Sequence, residues 1–287
     1  MNAFKAIAWS LGNRINNSIP FYPLKEDVKI NQFVCNFESS WQETSIKASP
    51  SRRLSDLFWI NLPWQKIRQE LGTIHIVDVG CGAGTYGKKI QKWSNDRVES
   101  YTGIDITSHE TWDEYSKEFG FQFFELPAGK FFQYIPNKVN FFISQSALEH
   151  IEEDLFFFEA VNTFLRETKN QAIQVHLIPS EQCINLYKYH GVRQYSIRTL
   201  ENICRLFEDY SHCSIYTLGG VSCNRLHRIF ISDPLSRGLG DLREIKTAEY
   251  DELLKQSIKS DFLSLEKSKP SFYALVIHSY PEKEIFL

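Results

Sequence analysis

Gly80, Gly82 and Gly84, with Asp78 and Asp105, have the types and spacing to seat a nucleotide-like ligand. The stretch "VDVGCGAGTYG" (77–87) follows the apolar run "IHIV", so a strand runs straight into Gly80, Gly82 and Gly84, with Asp78 just ahead. Glycine at such a strand-to-helix turn permits a tight bend and a close approach of backbone to ligand. The spacing is G-x-G-x-G. In the dinucleotide fingerprint G-x-G-x-x-G the third glycine would fall at Thr85, and no Lys-Ser or Lys-Thr follows a wider loop, which excludes a phosphate-binding P-loop. Asp105 closes the next apolar run, about 20 residues beyond the loop, where a carboxylate can accept hydrogen bonds from two ribose hydroxyls.

Residues so far apart meet only if several strands end along one edge of a sheet. From residue 74 onward short apolar runs alternate with helical stretches. The expected strands are 74–79, 101–106, 121–126, 139–144, 172–178, 213–219 and 271–278; the expected helices are 85–93, 110–118, 152–167 and 197–208. Strands alternating with helices predict an α/β fold, a doubly wound and mostly parallel seven-stranded sheet covered on both faces. The last strand has no helix after it and fits an antiparallel position. Residues 71–287 form the expected ligand-binding domain, with a polar, partly helical insertion at about 220–268 before that strand. Residues 1–70 read as a helical and irregular extension without strand alternation, broken by Pro20, Pro23, Pro50 and Pro63. Within it "SPSRRLSDLFWINLPWQKIRQEL" reads as helix, break, helix, with Ser55 as a candidate cap and Gly72 as the stop.

Bulk properties narrow the function. Hydrophobic residues at 43% and charged residues at 23% suit a globular enzyme. A net charge of −3 leaves no overall basic field for nucleic acid. Six scattered cysteines without a CxxC pair fit a reduced, cytoplasmic chain with neither a disulfide framework nor a metal site. No apolar run approaches the roughly 18 residues of a membrane span. The opening "MNAFKAIAWSLGNRIN" lacks the core of a signal peptide and predicts a weakly amphipathic helix packed on the body of the protein. Nothing specifies an oligomeric state.

Taken in order, "VDVGCGAG", "GIDI" and "ISQSALEHI" resemble the class I S-adenosylmethionine-dependent methyltransferases over roughly residues 70–180, and "FYALVI" fits that family's antiparallel seventh strand. The resemblance implies S-adenosylmethionine as cofactor, with Asp78, Gly80, Gly82 and Gly84 framing its methionine part and Asp105 on its ribose. It also implies that Ser146, Leu148 and Glu149 close the pocket near the sulfonium. The family often carries an aspartate after the third strand for the adenine amino group. Here "FQFFELPAGKFF" offers only Glu125.

For the acceptor, methyl transfer to a hydroxyl calls for a proton acceptor near the methyl. His150, after the fourth strand, and His190 are the candidate bases. The segment "HLIPSEQCINLYKYHGVRQYS" follows the fifth strand, and its Tyr187, Tyr189, Arg193 and Tyr195 offer flat faces and donors suited to a sugar ring. It resembles the corresponding segment of methyltransferases of bacterial surface-polysaccharide synthesis, which implies O-methylation of a sugar, glycan or other small-molecule hydroxyl. The Asn/Asp-Pro-Pro-aromatic motif of base-amino methylating members is absent, since 144–147 read Ser-Gln-Ser-Ala. An NAD-dependent oxidoreductase on a similar sheet and a non-catalytic binding protein of the same fold are the alternatives.

Overall fold

The computed structural model describes residues 3–19, 28–118, 120–126, 130, 135–186, 191–264 and 269–286. Its centre is an eight-stranded sheet. In chain order the strands are β1 (Val28–Gln32), β2 (Ile74–Val79), β3 (Val98–Asp105), β4 (Phe121–Glu125), β5 (Phe141–Gln145), β6 (Ala172–Pro179), β7 (Ser211–Leu218) and β8 (Phe272–Ser279). Across the sheet they run β1-β7-β8-β6-β5-β2-β3-β4, all parallel except β8, which is antiparallel to both β6 and β7. Every residue of β2, β5, β6 and β8 is buried, as expected of central strands covered on both faces.

One strand more is present than the seven expected. β1 comes from the extension that reads as strandless, and it pairs with β7 from Val28 opposite Cys213 to Gln32 opposite Thr217. Its sequence, VKINQ, has only two apolar residues, too few to show a period of two. Pairing with the edge of the sheet, through backbone bonds that any side chain permits, makes it a strand.

The helices are α1 (Ala3–Ser18), α2 (Pro50–Ile60), α3 (Trp64–Leu71), α4 (Thr85–Trp93), α5 (Thr111–Tyr115), α6 (Asp154–Thr168), α7 (Ile197–Arg205), α8 (Val221–His227), α9 (Asp233–Ser236), α10 (Leu242–Ile245) and α11 (Thr247–Leu263). Helices α2, α3, α4, α8 and α11 contribute to one apolar core, around Trp59, Ile67, Ile90, Leu226 and Leu254. Helices α6 and α7 build the other, around Phe158, Val161 and Leu200. The cap of α2 is Ser49, whose side chain accepts from the Arg52 amide at 3.3 Å ahead of Pro50 at the first turn. Ser55, the expected cap, is instead buried in mid-helix. Gly72, with φ +71°, does end α3.

The insertion folds as α8, a π-helical turn at Arg228–Ser232, and α9 to α11. It packs on the extension. The buried Arg53 of α2 meets Asp251 of α11 at 3.1 Å, and Tyr250 donates to the Ala48 carbonyl at 2.7 Å. Asp261 accepts from the Ser222 and Cys223 amides, both at 2.9 Å, fixing α11 to the first turn of α8.

Helix α1 lies on the body through polar groups. The Trp9 indole donates to the Gly191 carbonyl at 2.8 Å, Asn13 accepts from the Gln194 amide at 3.1 Å, and Arg198 donates to Asn16 at 2.6 Å. Ile7, Leu11 and Ile15 face outward. No described helix is long and apolar enough to cross a membrane, and all six cysteines are free thiols.

Candidate active site

The order of strands changes direction between β2 and β5, which places a ligand crevice beyond their carboxyl ends. Both loops expected at the site emerge there. After β2 the chain turns through Gly80, Gly82 and Gly84, all with positive φ, and enters α4. At Gly80 the requirement is absolute in two ways: φ is +73°, and an added Cβ would lie 2.3 Å from the Cβ of Ala147 in the loop after β5. The two loops therefore touch backbone to side chain, with no room for anything larger.

Asp105 ends β3 and grips the glycine loop. Its Oδ2 accepts from the Gly82 amide at 2.7 Å, while Oδ1 accepts from the Ile106 amide at 2.8 Å. Oδ1 also accepts a longer bond from the Thr107 amide at 3.4 Å, while Oδ2 keeps a second lone pair for an incoming hydroxyl. The loop is braced on its far side by α5, where Trp112 donates to the Gly82 carbonyl at 2.8 Å and Thr111 to that of Ala83 at 2.7 Å. Trp112 in turn stacks on Phe123 of β4 at 5.2 Å.

Asp78 is buried beneath the loop. Tyr101 donates to its Oδ2 at 2.5 Å, and Oδ1 has no hydrogen-bond partner among the described residues. Burial, reinforced by the nearby Asp105, pushes its carboxyl up to about 7, with the Tyr101 hydrogen bond opposing that rise.

Two cavities meet at Gly80. One, of about 400 Å³, runs along Asp105, Ile106, Leu126, Ser146, Ala147, His150 and Ile151. The other, of about 370 Å³, lies over Asp78 and the glycine loop and is closed by Arg52, Tyr86, Lys89 and Gln145. A smaller chamber of about 90 Å³ adjoins both: it shares Ser146 with the first and Arg52 with the second, and is completed by Ser49, Ser51, Glu149, Pro179 and Phe272. Glu149 is fully buried there, with neither carboxylate oxygen hydrogen-bonded among the described residues. Burial raises its carboxyl to about 7, against the pull of Arg52.

The structure thus brings Asp78, Gly80, Gly82, Asp105 and Ser146 together around one crevice, with Gly84 at the start of α4. Ser146 holds a left-handed backbone with φ +52°, an uncommon conformation for a residue other than glycine, at the junction of cavity and chamber. Leu148 is buried in the core beneath. Glu125 pairs across from Asp105 at the end of β4, exposed, while its neighbour Leu126 reaches the cavity wall. His150 lines the Asp105 side of the crevice, away from the chamber, and partial burial lowers its pKa.

Tyr187, Tyr189 and His190 lie outside the described residues. Arg193 and Tyr195 do not reach the cavities. Tyr195 is fully buried and donates to Asp154 at 2.6 Å; Arg193 pairs with the same carboxylate and donates to the Ile151 carbonyl at 3.0 Å. Both hold the start of α6, an internal role that their residue types do not reveal. His176 is buried too, kept neutral by burial with a pKa near 3, and bonded to Ser144 at 2.9 Å.

Sequence reasoning missed the wall supplied by the extension. Arg52 projects from the first turn of α2 towards the Tyr86 ring, 5.3 Å from its centroid. Buried Asp56 accepts from the Tyr86 hydroxyl and pairs with Lys89 at 3.3 Å, joining α2 to α4. Ser-Pro at 49–50 was the available signal: it starts the helix at the residue that puts Arg52 in the first turn.

No protein-family model matches the chain, and no curated protein matches it. Among solved structures it is similar to the plantazolicin methyltransferase BamL in complex with a triazolic desmethylPZN analog and SAH, at 14% identity over 96% of this chain and 97% of that one, with a TM-score of 0.48. It is similar to a putative sarcosine dimethylglycine methyltransferase from Galdieria sulphuraria, at 12% identity over 96% and 99%, TM-score 0.49. A SAM-dependent methyltransferase from Archaeoglobus fulgidus matches at 15% over 84% and 100%, TM-score 0.46. None of these scores reaches 0.5, and the site's own geometry carries the functional reading.

Proposed function

We propose that the chain is an S-adenosylmethionine-dependent methyltransferase that methylates a hydroxyl of a sugar, glycan or other small molecule. One observation supports this above the rest: a G-x-G-x-G loop bonded to the carboxylate ending the next strand divides a crevice into two ends of different chemistry. The Asp105 end offers apolar Ile106, Leu126 and Ile151 for a flat base, with a carboxylate for a ribose diol. The other end offers Arg52 and Lys89 for a carboxylate, beside buried Asp78 for an ammonium group. The residues present fit the donor from end to end.

S-adenosylmethionine, when bound, supplies an electrophilic methyl group on a sulfonium. The protein's tasks are alignment and exclusion of water. Gly80 and Ala147 pinch the crevice between its two ends, and Ser146 opens it towards the chamber. In that chamber Glu149 is the group poised to accept the acceptor's hydroxyl proton on a carboxylate oxygen. Its raised pKa, near neutrality, is what a general base needs. A base of this kind favours a hydroxyl acceptor over an amine that has already lost its proton. His150, on the Asp105 side, suits donor binding better than proton transfer.

Calorimetry with S-adenosylhomocysteine, S-adenosylmethionine and NAD tests the reading. Saturable binding of the first two is expected. Binding of NAD alone would favour an oxidoreductase, and binding of the donor without turnover over a panel of hydroxyl acceptors would favour a binding protein.

A further inference from the structure

A cavity of about 990 Å³ lies beyond the donor crevice and is built by the insertion: α8, the π-helical turn and α9 form one wall, and residues 182–186 the other. Ser49 lines both this cleft and the chamber that holds Glu149, so the two adjoin. The cleft's charge runs against that of the chain. The whole protein carries −3, yet Arg225, Arg228, Arg243 and Lys269 line the cleft with Asp233 as its one lining acid. Arg243 is engaged by Asp241 and by the Lys47 carbonyl, and Arg228 meets Asp233 at 3.3 Å. Arg225 has no acidic partner among the described residues and stands three residues before Arg228, on the same side of the chain as it winds. Buried His227 between them is kept neutral, its pKa lowered to about 4 by burial and by Arg243, so it adds no charge.

A concave site of one sign concentrates ions of the other, and guanidinium forks match phosphate oxygens in pairs. The volume is at the upper end for small-molecule sites, more than a lone sugar fills. We propose that this cleft anchors the acceptor and that the acceptor is a phosphate or diphosphate ester. Its anionic end lies against Arg225 and Arg228, and its hydroxyl-bearing end passes Ser49 to Glu149. The proposal rests on the methyltransferase reading for the role of that second end; the anion site stands on the cleft alone.

The test uses the full chain with two probes, inorganic pyrophosphate and glucose 1-phosphate, titrated by calorimetry. S-adenosylhomocysteine is titrated separately. Both probes should bind the wild type saturably. The double variant Arg225→Ala/Arg228→Ala, at two exposed positions, should weaken both by about tenfold or more while leaving S-adenosylhomocysteine binding unchanged. Lys117→Ala/Lys138→Ala removes the same charge from exposed positions outside the cleft and should change neither probe. Failure of the wild type to bind either probe overturns the proposal, as does an equal loss in the two double variants. A wild type that binds the probes but not S-adenosylhomocysteine instead overturns the methyltransferase reading and leaves the anion site standing.

Discussion

The Gly82 amide donates to the Asp105 carboxylate at 2.7 Å, so the loop after β2 and the end of β3 form a single hydrogen-bonded unit. Asp105→Ala removes both the brace on the loop and the acceptor for a ribose diol. The expected result is a loss of about tenfold or more in S-adenosylhomocysteine affinity by calorimetry. Unchanged affinity would take Asp105 out of the donor site.

Gly80→Ala places a methyl group 2.3 Å from the Ala147 Cβ at a φ of +73°. The loops after β2 and β5 must part or the backbone must flip. Urea unfolding should show a loss of about 1–3 kcal/mol, and donor binding should fall below detection. A stable variant that binds the donor normally would mean that the crevice is not gated at Gly80.

Glu149 gives a pH signature. Burial raises its carboxyl from 4.5 to about 7, so the folded state holds the proton more tightly than the unfolded chain. The resulting stability is fully present below 4.5 and is lost as pH rises through about 7. Glu149→Gln abolishes this contribution, of the order of 3 kcal/mol at most. Against wild type, the variant should therefore gain in urea midpoint between about pH 5 and about pH 8. Asp78 shifts in the same direction, and the pH dependence that survives in the variant is its share. Turnover in Glu149→Gln should drop by about 10²-fold or more with donor affinity retained. A constant stability offset across the window would show that Glu149 is already paired.

Tyr195→Phe strips one hydrogen bond from buried Asp154. The expected cost is about 1–2 kcal/mol in thermal or urea unfolding, with the acceptor KM unchanged in whatever activity remains. A raised KM at full stability would return Tyr195 to the acceptor site.

The strands from β2 to β8 were legible because each carries a cluster of apolar residues, densest in the fully buried β2, β5, β6 and β8, and the glycines and Asp105 mark where β2 and β3 end. Strand β1 was not, because an edge strand formed by backbone pairing leaves little trace in its side chains. The crevice floor was legible for the same reason as the strands: Asp78, Gly80 and Asp105 sit next to them in the sequence. Its lid was not. Arg52 and Lys89 lie 37 residues apart and meet only through the fold. Arg193 and Tyr195 illustrate the opposite case, since an arginine or a tyrosine reads alike whether it serves a ligand or a core. Arg193 and Tyr195 fasten α6, and Trp9 of α1 fastens their loop.

That last fastening has a consequence for how the molecule is made. Trp9 finds its acceptor 182 residues downstream, and Asn13 finds Gln194 181 residues downstream. These contacts cannot close before residues 191–194 have been made, and contacts of such separation form slowly. Val192 in that same loop donates to the Glu149 carbonyl at 2.6 Å, so one loop serves both the docking of α1 and the wall of the chamber, joining parts of the chain made far apart in time.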